Sequence, residues 1–378
     1  MATAQHLKEA AQAAITFHVA MIYLGNRAFI EVFKAWGSVV PTPSRVVSTG
    51  ASFLEESLKL VRQRRHQVEA IAIPYLRLMR ALHTGTTFQP IFPTSTTTRP
   101  PINSLRRDFI DAIARYAPEA LEGSAVDMDP TDGVDEEHEV ENPDGSKYTP
   151  YDIEAWLDDL IADLEEIAGL EDALDKLEAN MEDEARSILE NLGPKYLQVK
   201  LKELQVDDRQ QSAREVDAER EEAHAQVGRR LGAHAERMVE NGGRYTEITY
   251  GNLDNRVLGF VRVHEPHNDI IPCGWCCLML SRGFVRKRGK DLYASKRAAG
   301  SDNDHAADQF HTPDHCKPEA VYSMEQVDND ARFDMNRRMA ALYKDQIQGK
   351  FSGDRAISQW RKTIRNLRAA QAAARSKE

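Results

Sequence analysis

The chain has 378 residues, of which 41 % are hydrophobic and 29 % charged, and a formal net charge of −11. That length gives room for two or three domains, and the modest apolar share suits helical, surface-rich modules better than one large core. The acidity excludes wholesale wrapping of nucleic acid by the whole molecule, so the distribution of charge matters more than its sum.

Residues 1–85 read as a small helical bundle. Leu7, Ala11, Ala14 and Ile15 recur at helical spacing, as do Phe29, Ile30 and Phe33. Pro41 and Pro43 interrupt the run. A second helix carries Leu54, Leu58, Val61, Val68 and Ile71, with Arg62, Arg64 and Arg65 on its polar side. Pro74 is expected to open a third helix at Tyr75–Arg80. Ala13–Leu24 is apolar, but it contains His18 and is short for a bilayer span. It has neither a basic leader nor a cleavage site, so no membrane partner is expected. Synthesis in a reducing cytosol follows, where cysteines are metal ligands or free thiols rather than disulfides.

Residues 86–150 form a linker and an acidic loop. Thr84–Pro101 is rich in Thr and Pro, a short helix is expected around Leu105–Tyr116, and Glu119–Gly145 is acidic with few apolar anchors. The Asp spacing there resembles a calcium loop only in part, because the turn Gly and the closing Glu do not fall in place. Residues 151–241 read as long charged helices. An apolar stripe runs through Ile153, Leu157, Leu160, Leu164, Ile167, Leu174, Leu177 and Met181, and acidic residues cover the other faces. Gly193-Pro194 is expected to stop this helix. Lys195–Glu240 resumes as a very polar helix, which calls for a partner; self-association through 151–241 is the expectation. Gly242-Gly243 is expected to end it.

The texture changes over residues 242–323. Arg244–Tyr250 reads as a short strand or a helix start, and Val257–Val263 as a strand. All four cysteines lie in two patches here, Pro272-Cys273-Gly274-Trp275-Cys276-Cys277 and His311 to Pro318 with His315-Cys316. The tail, 324–378, is helical and basic. Ile357, Trp360, Ile364 and Leu367 keep helical spacing, flanked by Arg355, Arg361, Lys362, Arg365, Arg368 and Arg375, which suit contact with DNA phosphates. The expected fold class is mainly α, with a small α+β or irregular Cys/His module.

A C-x-x-C turn aims two thiolates at one point, so Cys273, Cys276, His315 and Cys316 form a candidate ligand set for one structural zinc. Two other readings use the same residues. Cys276, Cys277 and Leu278 can pack as small buried hydrophobes. Alternatively, Cys276 or Ser281 serves as a nucleophile with His311 or His315 as its base, which makes a protease. The basic run Arg286-Lys287-Arg288-Gly289-Lys290 between the patches leaves a third class open, a zinc-knuckle nucleic-acid binder.

A wider pattern carries a resemblance. Gly242-Gly243-Arg244, Gly259-Phe260-Val261-Arg262-Val263, Pro272 to Val285 with Leu278-Met279-Leu280-Ser281-Arg282-Gly283, and His315-Cys316-Lys317-Pro318 to Tyr322 together resemble the phage Mu F-like minor head proteins, in the form found in phages of actinobacteria. Tyr75–Gly85 is similar to their helical start. Here Pro318 stands where the family often has a second closing cysteine. The resemblance implies a low-copy capsid component in the virion, at the head interior or the portal vertex. Portal protein, major capsid protein and phage DNA would be its partners. Relatives are often labelled capsid maturation proteases.

Overall fold

The computed structural model describes residues 4–85, 102–122, 170, 172–207, 213–264, 270–287 and 316–376. The acidic loop with its partial calcium pattern, and the helix expected over 151–169, lie outside these. The fold is mainly α. Its helices are α1 (Ala4–Trp36), α2 (Val46–Thr84), α3 (Ile102–Tyr116), α4 (Glu119–Glu122), α5 (172–190), α6 (Tyr196–Asp207) and α7 (Ala213–Leu253). Then come strand β1 (Gly259–Val263), helix α8 (Gly274–Leu280), strands β2 (Val285–Arg286) and β3 (Lys317–Val321), and helices α9 (Met324–Asn329), α10 (Asp334–Gln346) and α11 (Gly353–Arg375). A 3-10 turn at Ala331–Phe333 leads into α10.

The chain divides into two compact units, each built from separated segments. The first comprises Met1–Val19, Ile71–Leu174 and Thr246–Glu378, the second Ala20–Ala70 and Asp175–Tyr245. Helices α1, α2, α5 and α7 contribute to both. Helix α1 is long and apolar enough to cross a bilayer by composition, but over half of its apolar window is buried, and along the helix Ala13, Phe17, Leu24 and Val32 are all buried.

Three sequence breakers do not break the chain as expected. Helix α2 continues through Pro74. Proline there forfeits one backbone hydrogen bond, but Ile71, Ala72, Tyr75, Leu76, Leu78 and Met79 around it are all buried, and that packing outweighs the loss. Gly193-Pro194 makes a kink rather than a stop. One wide turn, Asn191–Lys195, holds Gly193 at φ −98°, ψ −108°, and α6 follows directly. Gly242-Gly243 lies inside α7, so Arg244–Tyr250 is helical and not a strand. A Cβ at Gly242 would lie 2.4 Å from Cγ of Arg65, so the small residue there admits a packed side chain rather than ending the helix.

The second unit is centred on Trp36. Its ring meets Phe53 edge-on at 4.9 Å and stacks on His224 at 5.1 Å, while Nε1 donates to the His224 carbonyl at 2.8 Å. Arg64 pairs with Glu31 (Nε to Oε2, 2.9 Å) and Arg65 with Glu178 (Nε to Oε2, 2.7 Å) in forked geometry.

In the first unit, β1 is the centre of an antiparallel sheet of order β2-β1-β3, with Phe260 opposite Ala320 and Arg262 opposite Pro318. The strand expected at Val257–Val263 is therefore present. Helix α11 lays Ala356, Trp360 and Ile364 on Ile271, Cys277, Leu280, Met339 and Ile347, with Leu367 at the edge. Ile357, the first residue of the expected stripe, stays 41 % exposed.

Replacing a helical glycine by alanine normally stabilises by about 1 kcal/mol. Gly228→Ala should do the reverse, because the new methyl would sit 2.5 Å from Cδ1 of Trp36. A loss of about 1–3 kcal/mol is expected in urea unfolding; a gain would contradict the Trp36 packing.

Candidate functional site

The cysteine patches meet in the first unit. Cys273 is the N-cap of α8, in extended conformation (φ −62°, ψ 163°), and its sulphur accepts from the Cys276 N–H at 3.4 Å. One helical turn brings Cys276 inward, where its sulphur lies 3.5 Å from that of Cys316, just before β3. Arg262 on β1 places Nη1 3.7 Å from the Cys316 sulphur. Cys277 points elsewhere: its thiol donates to the Pro272 carbonyl at 3.3 Å and it packs under α11. The turn is held from outside, since Nε1 of Trp360 donates to the Gly274 carbonyl at 3.0 Å.

The Cys276 thiol is pushed far up from its ordinary range by hydrogen bonding to Cys273 and Cys316, with burial adding to the effect. A thiol held protonated and fully buried is a poor nucleophile. Ser281 is the C-cap of α8, and its hydroxyl donates to the Leu278 carbonyl at 2.7 Å, the role of a turn residue. His311 and His315 lie outside the described residues, so neither the zinc ligand set nor a Cys–His pair is assembled among those described. Thiol donors are of the soft kind zinc takes, but among the described residues no group of three or more His, Cys, Asp or Glu is arranged to hold a metal ion.

Of the basic loop, Lys287 does not face solvent for a phosphate. Its ammonium donates to the carbonyls of Gly251 and Asn252 (each 3.2 Å) and of Asp254, at the C-terminal end of α7, where carbonyls are left over and the helix dipole favours a cation. Arg288 and Lys290 lie outside the described residues. The six basic tail residues, Arg355, Arg361, Lys362, Arg365, Arg368 and Arg375, are all exposed on α11. Arg361, Arg365 and Arg368 line an open cleft of about 460 Å³ together with Cys273, Gly274, Trp275 and Ile364.

A second constellation was not visible in the sequence. Lys317 and Glu319 are two residues apart on β3, so they project to one face. Both are buried, and both meet the buried Glu247 of α7 and Tyr75 of α2. Lys317 Nζ lies 3.2 Å from Oε2 of Glu247 and hydrogen-bonds Glu319 directly. Glu319 Oε1 accepts from the Tyr75 hydroxyl at 3.0 Å and from Arg332 Nη1 at 2.8 Å. Glu247 Oε1 accepts from the Ala320 N–H at 3.1 Å. The ammonium also lies over the rings of Phe17 and Tyr75, at 5.5 and 5.4 Å. Beside this set, Arg80 pairs with Asp254 at 3.3 Å, and His83 stacks on Tyr322 at 5.3 Å.

The two carboxyls are driven apart. Burial and the neighbouring Glu319 raise Glu247 to about 7, against the pull of Lys317. Burial would raise Glu319 too, but Lys317 and Arg332 outweigh it and hold it at about 2. Two carboxyls with divergent pKa values are the signature of acid–base chemistry. Here both are completely buried, so the set works as a structural lock. The only advance signal was the alternation of charge in Lys317-Pro318-Glu319 between apolar flanks, which looks like an ordinary exposed strand face.

Three measurements follow from this geometry. In a thiol titration, Cys273 should react with the native protein, and Cys276, Cys277 and Cys316 only after unfolding. Glu319→Gln leaves Lys317 and Arg332 without their shared anion and should cost about 3–5 kcal/mol at pH 7. Glu247→Gln should behave differently. Because the folded pKa of Glu247 lies above its unfolded value, wild type loses stability as pH rises from about 4.5 to about 7, and the non-titrating Gln does not. The variant should therefore gain on wild type between pH 4.5 and 8 in denaturant midpoints. A constant difference would exclude the raised pKa.

No curated protein and no solved structure matches the chain. A family model described as VG15 protein matches residues 146–345, which is more than half of the chain and takes in the sheet, the thiol pair and Glu247, Lys317, Glu319 and Arg332 of the buried charge network. The chain belongs to the VG15 protein family, a family of phage proteins.

Proposed function

We propose that the chain is a minor head protein of a tailed phage, of the Mu F-like kind, present in few copies and associated with the portal and the coat. The observation that supports this most is the coincidence of three things in one place. The segments that carry the resemblance, from Gly259 to Val263, Cys273 to Gly283 and Cys316 to Tyr322, pack as one small module. That module falls inside the stretch matched by a phage family. Its Cys276, Cys277, Cys316, Lys317 and Glu319 are turned inward, as a structural element needs. Helices α5 and α6 turn Leu177, Met181, Leu189, Leu197 and Leu201 inward, and their remaining charged faces would serve as the assembly surface.

A capsid maturation protease is the second reading of the same resemblance. The protonated, buried Cys276 and the hydrogen-bonded Ser281 hydroxyl favour the structural role over it.

Co-expression with the portal, scaffold and coat genes of the same genome, followed by intact-mass analysis of purified particles, tests the proposal. Incorporation in few copies beside full-length coat is the expected result. Coat shortened only when this gene is present, and restored by His315→Ala, would establish the protease instead.

A further inference from the structure

The cleft between the C-x-x-C turn and α11 has the makings of a binding site. Arg361, Arg365 and Arg368 stand at i, i+4 and i+7 on α11, so their guanidiniums share one face over about two helical turns, roughly 10 Å. All three are exposed, and among the described residues none makes an ion pair or a hydrogen bond. The opposite wall is the turn itself, with the half-exposed indole of Trp275. The walls are fixed to each other: Trp360 Nε1 donates to the Gly274 carbonyl at 3.0 Å, and a Cβ at Gly274 would stand 3.4 Å from Cγ of Arg361. The backbone of the turn and helix α11 are thus tied together before any ligand arrives, and the arginine side chains extend from that fixed frame.

We propose that this cleft binds a single strand of nucleic acid, with phosphates on Arg361, Arg365 and Arg368 and a base against Trp275. Guanidiniums in a row match a polyanion whose charges repeat along a chain, and an indole beside them supplies the stacking plate that unpaired bases use. An acidic peptide would satisfy the arginines but leave the indole without a planar partner. A duplex would present phosphates but keep its bases stacked on each other. The chain carries a net charge of −11, so its attraction for a polyanion has to come from such a local patch and not from the whole molecule. This inference does not depend on the reading of the chain as a head protein.

The test uses the full chain and fluorescence anisotropy with a labelled 20-nucleotide oligothymidylate, over a NaCl series from 50 to 200 mM (roughly the span in which phosphate contacts are lost). The triple variant R361Q/R365Q/R368Q should weaken binding at least about tenfold and lower the salt slope by about 2, three phosphate contacts fewer on a single strand. The control R338Q/K344Q removes exposed charge from α10 and should change affinity less than about twofold. Trp275→Ala should weaken the single strand about tenfold and leave a 20-base-pair duplex unaffected. Wild-type binding unchanged by the triple variant, an equal loss in the control, or failure of wild type to bind at 50 mM NaCl would each overturn the proposal. So would displacement of the oligonucleotide by a peptide of residues 127–142, which would identify the cleft as a dock for an acidic segment. Trp275→Phe, which keeps a ring, should restore most of the affinity lost in Trp275→Ala.

Discussion

The first unit is organised by the ammonium of Lys317. A lysine fully out of water is tolerable only when its charge is matched and its donors are used. Glu319 matches its charge, Glu247 accepts from one of its donors, and the rings of Phe17 and Tyr75 cover it. Those partners come from α1, α2, α7 and β3, elements far apart in sequence. The charge therefore fixes which helices stand over the sheet and in what register, because a shift by one residue on β3 would turn Lys317 and Glu319 to the opposite face. Arg332 closes the set from the turn before α10, so the helices that follow the sheet are tied to the same point.

Sulphur and carbon close the junction of β3 with α8, with one buried guanidinium among them. Cys276 and Cys316 touch at the junction of α8 and β3, and Arg262 lies beside them. Under α8, Cys277 and Leu280 join Trp360 and Ile364 of α11 in one apolar cluster. The tail is thus no loose appendage to the module. Trp360 both fills the cluster and holds the Gly274 carbonyl, which leaves the next residue of α11, Arg361, beside the turn and the other arginines facing out.

Burial determines the chemistry of each group more than its identity does. A C-x-x-C followed by a His-Cys pair is compatible with zinc, with catalysis or with packing, and the three differ in whether a thiolate can form. Hydrogen bonding to Cys273 and Cys316, with burial, pushes the Cys276 thiol up, which weakens it as a free nucleophile and bears on catalysis, not on the choice between an ion and packing. The carboxyls of Glu247 and Glu319 share one lysine, yet Glu319 also has Arg332 and the Tyr75 hydroxyl, so the anion settles there.

The sequence by itself determined the helical class, a strand within Val257–Val263 and the apolar stripe of the tail except at Ile357, and it set all four cysteines in two patches while leaving open whether they bind an ion, react or pack. Each of these is written in local periodicity or in residue types that occur nowhere else in the chain. The breakers Pro74, Gly193-Pro194 and Gly242-Gly243 were legible as residues but not in their effect. Whether they end a helix depends on what packs against it, as the Arg65 side chain does at Gly242. Only the tertiary structure decided that Lys317, Glu319, Glu247, Tyr75 and Arg332 form one buried network. A charged residue in a strand looks the same in sequence whether it meets water or its counter-ion, and the counter-ions here come from helices separated from it by most of the chain.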